Sequence, residues 1–561
     1  MTDRPVTDRV AFTCNGREVD VEVEPAESLL SVLRERLGLV SAKDGCAPQG
    51  QCGCCTVLVD GDARVACVTA ATRVAGRAVT TVEGIDPQVR DAFAAAFVAS
   101  GGSQCGFCTP GIVMRAAGAK HPMLDRALAA HLCRCTGWRT VYEAIEGTVG
   151  ARARDVAAAS TRATLEGGVH QRVDPDVPLG GGGFADDTAP RDALVAVPLP
   201  PGSDAEFVEA AGLRWVIGDS LEAARSAAGK VQGRRTTFDA APPLQLLPNP
   251  PDGVRLATSW VEPAYLEPDA SWCVPGGEPA STLANGGAFG GKARSRAPEA
   301  ARELSTRVGR TARVVYSRED VVRLGPKRPP ISAAAAWRAG CVAIEGCAVG
   351  VAPDVFPTPY GIDVDARWEV VEVPGPAVAR DLRAFGLAEQ ALLVEGALDA
   401  ADVDRSMLTE DGALLDTLVV APSGARAGAR VTFDDVTGHL AGVAVRVAAG
   451  DALDETVLRS YVLGAVHMAL GWALTESLAV DPDTGEVHDL TIRSFGIIRA
   501  KDMPPVDVTI LDDAGPARAR ASDAAFAAVA AAAWNALSRV EGVRPDTFPA
   551  RDTRAARLLR R

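Results

Sequence analysis

The chain has 561 residues, 47% of them hydrophobic, which is enough for about three to five domains with buried cores. Its 58 lysine and arginine residues against 72 aspartate and glutamate residues give a net charge of −14, which argues against a nucleic-acid partner or an anionic membrane surface. No run reaches the ~18 apolar residues of a membrane-spanning helix, and the charged N-terminus is unlike a secretory signal, so we expect a cytoplasmic protein.

The cysteines are concentrated at the start of the chain. Ten of the thirteen lie before residue 136, and only Cys273, Cys341 and Cys347 come later. In a reducing compartment so many thiols are expected to bind metal. A disulfide framework is the alternative, but such frameworks are typical of short secreted chains.

The first segment predicts two strands, a helix, a cysteine loop and a second hairpin. Residues 10–23 alternate apolar and polar side chains around an Asn15-Gly16 turn, and residues 27–37 carry leucines at helical spacing. The loop GCAPQGQCGCCT (45–56) then leads into a hairpin around Asp60-Gly61. Together they supply a candidate ligand set of Cys46, Cys52, Cys55 and Cys67.

This set has the donor chemistry of a 2Fe-2S cluster, in which four thiolates bind two irons and glycines let the backbone wrap the cluster. Plant-type ferredoxins place four and then two residues between their first three ligands, whereas this chain has five and two. Cys54 could replace Cys55, although the strand that follows Cys55 favours Cys55. A zinc site is a further alternative. Cys14 is expected to be an ordinary buried thiol.

From about residue 87 to residue 150 the pattern changes to four short helices, with cysteines in the loops between them. Cys105 and Cys108 lie in one loop, and Cys133 and Cys135 lie in another. Alone, this set fits zinc or iron; behind a ferredoxin-like module it favours a second 2Fe-2S cluster and a one-electron path between the two. His131 is expected to pack in its loop.

The motifs QCGFCTPG (104–111) and LCRCTGW (132–138) make residues 1 to about 150 resemble the iron-sulfur part of molybdenum hydroxylases, the xanthine dehydrogenase and aldehyde oxidase family. The resemblance implies that the first cysteine set holds the cluster nearer a flavin and the second set the cluster nearer molybdenum. It also implies that Gln104 contacts the pterin of a molybdopterin cofactor.

The same resemblance implies an α+β multidomain fold. We expect a β-grasp 2Fe-2S ferredoxin-like domain at 1–84, a four-helix 2Fe-2S bundle at 85–155, an α/β hammerhead-like domain at 164–245 and a shortened molybdopterin-binding region at 246–561. A linker is expected at about 151–163. The segments that resemble the family's large subunit are 167–187, 261–270, 312–322, 463–487 and 493–510, whereas residues 333–431 match little.

The stretch GGAFGGKA (286–293) has the spacing of a nucleotide-binding Walker A loop, but Ala293 stands where a magnesium-binding Ser or Thr is required. It is instead similar to the family's glycine-rich motif ending in FGGK. That similarity implies that Gly287, Phe289 and Gly290 lie against the molybdenum ligands.

Three features depart from the family pattern. No counterpart is evident for a Phe-Arg-Gly-Phe-Gly type motif, or for a Gly-Gly-x-Glu with a following Gln-Gly. The family's catalytic Gly-Glu is replaced by Ser522-Asp523, which implies that Asp523 is the catalytic base. Alternatively, Asp523 caps the helix that begins there.

The leading hypothesis is an oxidoreductase subunit of a molybdenum hydroxylase, which hydroxylates a purine-like N-heterocycle or an aldehyde with water. Its implied cofactors are two 2Fe-2S clusters and a molybdenum-molybdopterin. No FAD-domain pattern is visible, so a FAD-binding subunit is the implied partner, and homodimerisation is a further option. The alternatives are a degenerate electron-transfer or scaffold subunit that binds no molybdenum, and a zinc-stabilised interaction module.

Overall fold

The computed structural model describes residues 8–118, 124–148, 154–229, 241–282, 287–380, 382–488 and 490–559. Within these ranges the strands form three five-stranded sheets and one four-stranded sheet. These sheets are combined with separate groups of helices along the chain, so the expected α+β multidomain class is confirmed.

The N-terminal domain is a five-stranded sheet with the strand order β2-β1-β5-β3-β4. Positive φ angles at Asn15, Gly16, Asp60 and Gly61 confirm the two tight hairpins, because type I′ turns need that conformation. The expected helix is short and continues as a π-helical turn at Val32–Arg36. The elements are β1 (Asp8–Cys14), β2 (Arg17–Val23), α1 (Leu29–Ser31), β3 (Thr56–Val59), β4 (Asp62–Val65) and β5 (Ala78–Thr80).

The second domain is helical, as expected, although the third of its four predicted helices is reduced to one turn. The elements are α2 (Pro87–Ser100), α3 (Thr109–Ala117), α4 (Leu124–Ala127) and α5 (Arg139–Glu146), followed by α6 (Val156–Gly167). The expected linker at 151–163 is wrong where α6 forms, because its alanine-rich sequence is a strong helix former and Asp155 caps it.

The third domain is a five-stranded sheet with the order β10-β11-β6-β8-β7. Two of its strands come from after residue 245, so this sheet extends beyond the expected range of 164–245. The elements from 185 to 324 are α7 (Ala185–Thr188), β6 (Leu194–Pro198), β7 (Val208–Ala210), β8 (Leu213–Gly218), α8 (Leu221–Ala228), β9 (Gly253–Thr258), β10 (Ala270–Cys273), α9 (Ala297–Val308), β11 (Ala312–Val315) and α10 (Arg318–Leu324).

The C-terminal region has two sheets, with the orders β14-β13-β12-β9-β19 and β15-β16-β17-β18. Long helices pack between them, and α13 contacts α11, α12 and β16. The elements are β12 (Ile331–Arg338), β13 (Cys341–Val349), β14 (Asp363–Val371), α11 (Arg383–Ala400), β15 (Thr417–Val420), β16 (Arg426–Phe433), β17 (Leu440–Ala448), α12 (Glu455–Leu474), β18 (Val506–Ile510), α13 (Ala521–Glu541), β19 (Thr547–Phe548) and α14 (Arg554–Leu559).

Helix α12 is long and apolar enough to cross a membrane by length and composition, with a mean hydropathy of 1.3 over its most apolar window. The sequence analysis expected no segment of that kind, so the expectation is wrong for α12 by these two criteria. Because 94% of that window is buried inside the protein, α12 has the surroundings of a core helix.

Buried charges join the first domain to the third. Arg34 donates to Asp186 and Asp187 at 2.7 and 2.9 Å, and Lys43 pairs with Asp187. Arg313 on β11 contacts Asp186 at 2.8 Å and Glu35 at 2.7 Å. These cations hold the pKa of the Asp186 carboxyl well below its usual range, against the opposing effect of burial. The ion pairs therefore fix where the ferredoxin-like domain sits.

We expect Arg162→Met to destabilise the C-terminal region by about 3–5 kcal/mol, because removing one partner leaves a buried charge uncompensated. Arg162 contacts Glu166 at 3.1 Å with both side chains fully buried, and it also donates to three backbone carbonyls beyond residue 450. Urea unfolding followed by circular dichroism measures the effect.

The matched control is Arg302→Met, since Arg302 forms an exposed ion pair with Glu278. Exposed pairs contribute roughly 0–1 kcal/mol, so the control should unfold at nearly the wild-type urea concentration. Equal shifts in the two variants would contradict the special role of Arg162.

Candidate functional site: two cysteine sets and an adjoining cleft

The first cysteine set converges beside β3 and β4. Cys46 contacts the thiols of Cys52 and Cys67, and Cys67 contacts that of Cys55. The backbone N–H groups of Gln51 and Cys52 each donate to Cys46 Sγ at 3.3 Å, and that of Cys67 donates to Cys55 Sγ at 3.4 Å. All four side chains are buried. Such N–H donors stabilise thiolate sulfur, as a cluster requires.

Cys54 is also buried, but its thiol has a different partner. Its Sγ faces the backbone carbonyl of Cys52 at 3.8 Å and also contacts the Cys52 thiol. Cys55, by contrast, lies against Cys67. The geometry therefore favours Cys55 as the third ligand of this set, with the Cys54 thiol against the backbone carbonyl and thiol of Cys52.

The second set converges at the ends of α3 and of the loop before α5. Cys133 contacts both Cys108 and Cys135, and Cys105 Sγ lies 3.6 Å from Cys135 Sγ. The Thr136 hydroxyl lies 3.1 Å from Cys133 Sγ. Cys108 precedes the first residue of α3, whose second residue is proline.

In each set the four thiols contact one another in a continuous row. Two neighbouring thiols can then bind each iron of a two-iron cluster. Among the described residues, no group of three or more histidine, cysteine or carboxylate side chains has the arrangement that one metal ion needs.

The two cysteine loops are locked together. Leu132, beside Cys133, donates its N–H to the carbonyl of Cys52 at 3.0 Å. His131 lies 3.2 Å from the Thr56 hydroxyl and packs on Gly53, where a Cβ would come within 2.5 Å of its ring. Burial lowers the pKa of His131 to about 4, so the ring is neutral. His131 thus packs between the loops, as expected from the sequence.

The residues assigned to the pterin lie around one cleft between the second cysteine set and the C-terminal helices. Gln104, Gly287 and Phe289 line it together with Cys135 and the first turn of α13. Gln104 Nε2 donates to the carbonyl of Cys135 at 2.6 Å and to Ser460 Oγ at 3.0 Å. Gly290 follows Phe289 with a φ of 95°.

This cleft has a volume of about 20 Å³. That is room for roughly one water molecule and far below the ~300–1,000 Å³ of ordinary cofactor pockets. Two contacts close it. The backbone of Gly464 on α12 packs directly on the carbonyl of Cys135, and the Phe289 ring lies 5.6 Å from that of Phe526. The cleft as it stands does not fit a molybdopterin.

Asp523 is buried in the first turn of α13, but it does not cap the helix. The helix begins at Ala521, so Ser522 and Asp523 lie inside it. The cap comes from α6, where the Glu166 carboxylate accepts the N–H groups of Ala521 at 3.2 Å and Ser522 at 2.9 Å. The capping alternative for Asp523 is therefore wrong.

The lysine of the Walker-like stretch is occupied by an ion pair. Lys292 donates to Glu267 Oε2 at 2.6 Å, and both side chains are buried. Burial raises the pKa of Glu267 to about 7, with Lys292 opposing the shift. The pair lines a small cavity that Cys105, Cys108 and Cys135 also line. This agrees with the rejection of a phosphate-binding role for Lys292.

The sequence analysis missed three parts of this site. Arg134, between two cysteines of the second set, donates to Glu476 at 2.6 Å and fixes that loop to the C-terminal region. Glu166 was placed just outside the expected linker and given no role. Residues 382–386 read LRAFG, close to the Phe-Arg-Gly-Phe-Gly motif that was judged absent, and they begin α11.

Three family models match the chain. They are a 2Fe-2S iron-sulfur cluster binding domain at 12–73, a [2Fe-2S] binding domain at 81–146 and a molybdopterin cofactor-binding domain at 387–504. The last begins inside the stretch 333–431, which the sequence analysis took to match little, so that part of the expectation is wrong.

Relatives that match over most of their own length show which family the chain belongs to. Over 150 residues the chain is 37% identical to the xanthine dehydrogenase iron-sulfur-binding subunit of Escherichia coli O157:H7, covering 24% of this chain and 91% of that one. Over 152 residues it is 34% identical to the nicotinate dehydrogenase small FeS subunit of Eubacterium barkeri, covering 25% and 94%. The chain belongs to the molybdenum hydroxylase family. It therefore carries two 2Fe-2S-binding domains and a molybdopterin cofactor-binding domain.

In sequence, longer members of the molybdenum hydroxylase family match this chain over only part of their length. Over 146 residues the chain is 42% identical to the aldehyde oxidoreductase of Megalodesulfovibrio gigas, which covers 24% of this chain and 16% of that relative. In three dimensions it matches the aldehyde oxidoreductase of Desulfovibrio gigas with a TM-score of 0.71 and 14% identity, over 99% of this chain and 100% of that one. At that identity the match concerns the fold alone.

Replacing Cys55 with alanine should remove the first cluster and about half of the iron, because two of about four irons depend on this set. Replacing Cys54 with alanine should leave the iron content unchanged, because its thiol faces the Cys52 carbonyl. Iron per chain after anaerobic purification, with electron paramagnetic resonance of the reduced protein, measures both. Iron loss in the Cys54 variant with retention in the Cys55 variant would reverse the assignment.

Proposed function

We propose that this chain is an oxidoreductase subunit of a molybdenum hydroxylase complex whose role is to carry electrons through two 2Fe-2S clusters to a FAD-binding subunit. The observation that supports this is the contact between the two buried cysteine sets, in which the Cys52 carbonyl accepts the N–H of Leu132 beside Cys133. Cys52 of the first set is thus joined to Cys133 of the second set by one hydrogen bond and the single residue Leu132.

Burial supports the electron-transfer role. All eight cysteines are buried, so electrons would enter and leave with little rearrangement of water around the clusters. Three backbone N–H groups donate to sulfur in the first set and stabilise the added negative charge of the reduced state. The sites are therefore built for one-electron chemistry rather than for binding a substrate.

The names of several relatives support a complex of separate chains. Similar proteins include an iron-sulfur-binding subunit of a xanthine dehydrogenase and a small subunit of a nicotine 6-hydroxylase. By analogy, the flavin in our proposal is on a second chain that docks near the first cluster. We place the complex in the cytoplasm, where a reducing environment keeps cysteines available to bind iron.

A second candidate function is hydroxylation of a purine-like N-heterocycle or an aldehyde by this chain itself, with water as the oxygen source and Asp523 as the base. It is favoured by the meeting of Gln104, Gly287 and Phe289 with the first turn of α13 at one cleft. The volume of that cleft, about 20 Å³, makes it the weaker of the two. It requires α12 and the Phe289 segment to move apart.

Metal analysis separates the two functions. For the electron-transfer role we expect about four irons per chain and no stoichiometric molybdenum, because two 2Fe-2S clusters form and the pterin cleft is closed. The chain is to be purified alone and with its flavin subunit from cells that make the molybdenum cofactor. About one molybdenum per chain in either preparation would favour the hydroxylase instead.

The variant Asp523→Ala provides a second test that distinguishes the electron-transfer role from the hydroxylase role. Under the electron-transfer role this variant should still pass electrons from a chemical reductant to the flavin subunit at the wild-type rate, while Cys108→Ala should not. Loss of substrate oxidation in the Asp523 variant, with both clusters intact by electron paramagnetic resonance, would support the second candidate.

A further inference from the structure

Cys54 is a buried thiol inside the first cysteine loop, and the ligand assignment leaves it without a role. Its side chain is 0% exposed. It packs in the same buried cluster of residues as Cys105 and Cys108 of the second set, whereas Cys55 and Cys67 belong to the core of the first domain. The Cys54 side chain therefore lies on the side of the first set that faces the second set.

The Cys54 S–H group has two acceptors within reach, and both belong to Cys52. One is the backbone carbonyl oxygen, 3.8 Å from Cys54 Sγ, and the other is the Cys52 sulfur. The carbonyl already accepts the N–H of Leu132 at 3.0 Å. The sulfur becomes a negatively charged thiolate when it binds iron, and an ionised acceptor forms the stronger hydrogen bond. Iron binding therefore makes Cys52 Sγ the preferred acceptor.

We propose that Cys54 donates an S–H hydrogen bond to the ligand sulfur of Cys52 and thereby raises the reduction potential of the first cluster. Reduction adds one negative charge, and hydrogen bonds to the ligand sulfurs stabilise it. Three backbone N–H groups act in the same sense, but they donate to Cys46 and Cys55. Cys54 supplies the corresponding donor for Cys52, and so acts on the cluster through a ligand rather than as one.

Burial gives this single weak donor its effect. Cys52 is 1% exposed and Cys54 is 0% exposed, so water does not compete for the ligand sulfur. In such surroundings a hydrogen bond acts more strongly on a charge than it does in water. The conformation of Cys54 is also held from both sides, because its carbonyl accepts the N–H of Lys43 at 3.2 Å and packs on Gly111.

The inference rests on the proposed electron-transfer function, because it requires a cluster on the first set. A higher potential makes the first cluster a better acceptor for an electron from the second cluster. Cys54 thus favours electron flow from the second set toward the FAD-binding subunit of our proposal. It is a positioning residue for a charge, and its contribution is measured as a potential rather than as an activity.

Redox titration followed by electron paramagnetic resonance tests the proposal on the full chain, purified anaerobically with both clusters. Cys54→Ala should lower the midpoint potential of the first cluster by about 30–60 mV, which corresponds to a three- to tenfold change in a one-electron equilibrium constant. Cys54→Ser should keep the potential at or above the wild-type value, because a hydroxyl is a better donor than a thiol. The second cluster is the internal reference and should shift by less.

Cys14→Ala is the matched control. Cys14 is another buried thiol of the same domain, 4% exposed on β1, and none of the thiol contacts described above involves it. Its replacement removes the same atoms from the same domain without removing a donor to a ligand sulfur. Both midpoint potentials should therefore stay at their wild-type values.

Four results would overturn the proposal. Cys54→Ala could leave the first potential unchanged, Cys54→Ser could lower it as far as alanine does, or Cys14→Ala could lower it equally. Loss of about half of the iron from Cys54→Ala, measured in the same samples, would make Cys54 a ligand instead. Absence of 2Fe-2S signals from the wild-type chain is a distinct outcome, because it would overturn the electron-transfer function on which the inference rests.

Discussion

The structure depends on the close approach of two loops that carry cysteines from different domains. Gly53 and Gly111 make this approach feasible. A Cβ at Gly111 would come within 2.9 Å of the carbonyl oxygen of Cys54, and a Cβ at Gly53 would press on the ring of His131. Because Gly53 also has a φ of 75°, a side chain there would be strained even without the neighbouring ring. A side chain at either glycine would therefore press the two cysteine loops apart.

The approach of the loops is stabilised by ion pairs to the third and C-terminal regions. Arg34 and Lys43 of the first domain meet Asp186 and Asp187 of the third, and Arg134 anchors the second loop to Glu476. Burying such groups costs desolvation, and each ion pair mainly offsets that cost. What they add is position, because a misplaced domain would leave several charges buried without partners. The third and C-terminal regions therefore hold the iron-sulfur part in one orientation.

What the sequence predicted well was local. The Asn15-Gly16 and Asp60-Gly61 hairpins and the sorting of cysteines into two sets depend on neighbouring residues and on donor chemistry, which a single chain displays directly. The third sheet was not predictable in this way, because β10 and β11 join it from after residue 245. The capping of α13 by Glu166 likewise joins residues more than 350 positions apart. LRAFG was missed because two substitutions hid it in an otherwise divergent stretch.

The closed cleft and the contact between the cysteine loops are formed by different residues. The cleft is lined by the polar side chains of Gln104, Arg134, Glu166 and Ser522 as well as by Phe289, so any space in it would be filled by water when no ligand is bound. Beside the cleft, the Phe289 ring packs at a tilt on Phe526, and Phe526 packs edge-on against Phe385. The cysteine loops contribute Gln104, Arg134 and Cys135 to the lining of the cleft, and its closure brings the second loop against α12. The contact between the two cysteine sets runs through Leu132 and Cys52 instead, so closure of the cleft leaves that contact in place.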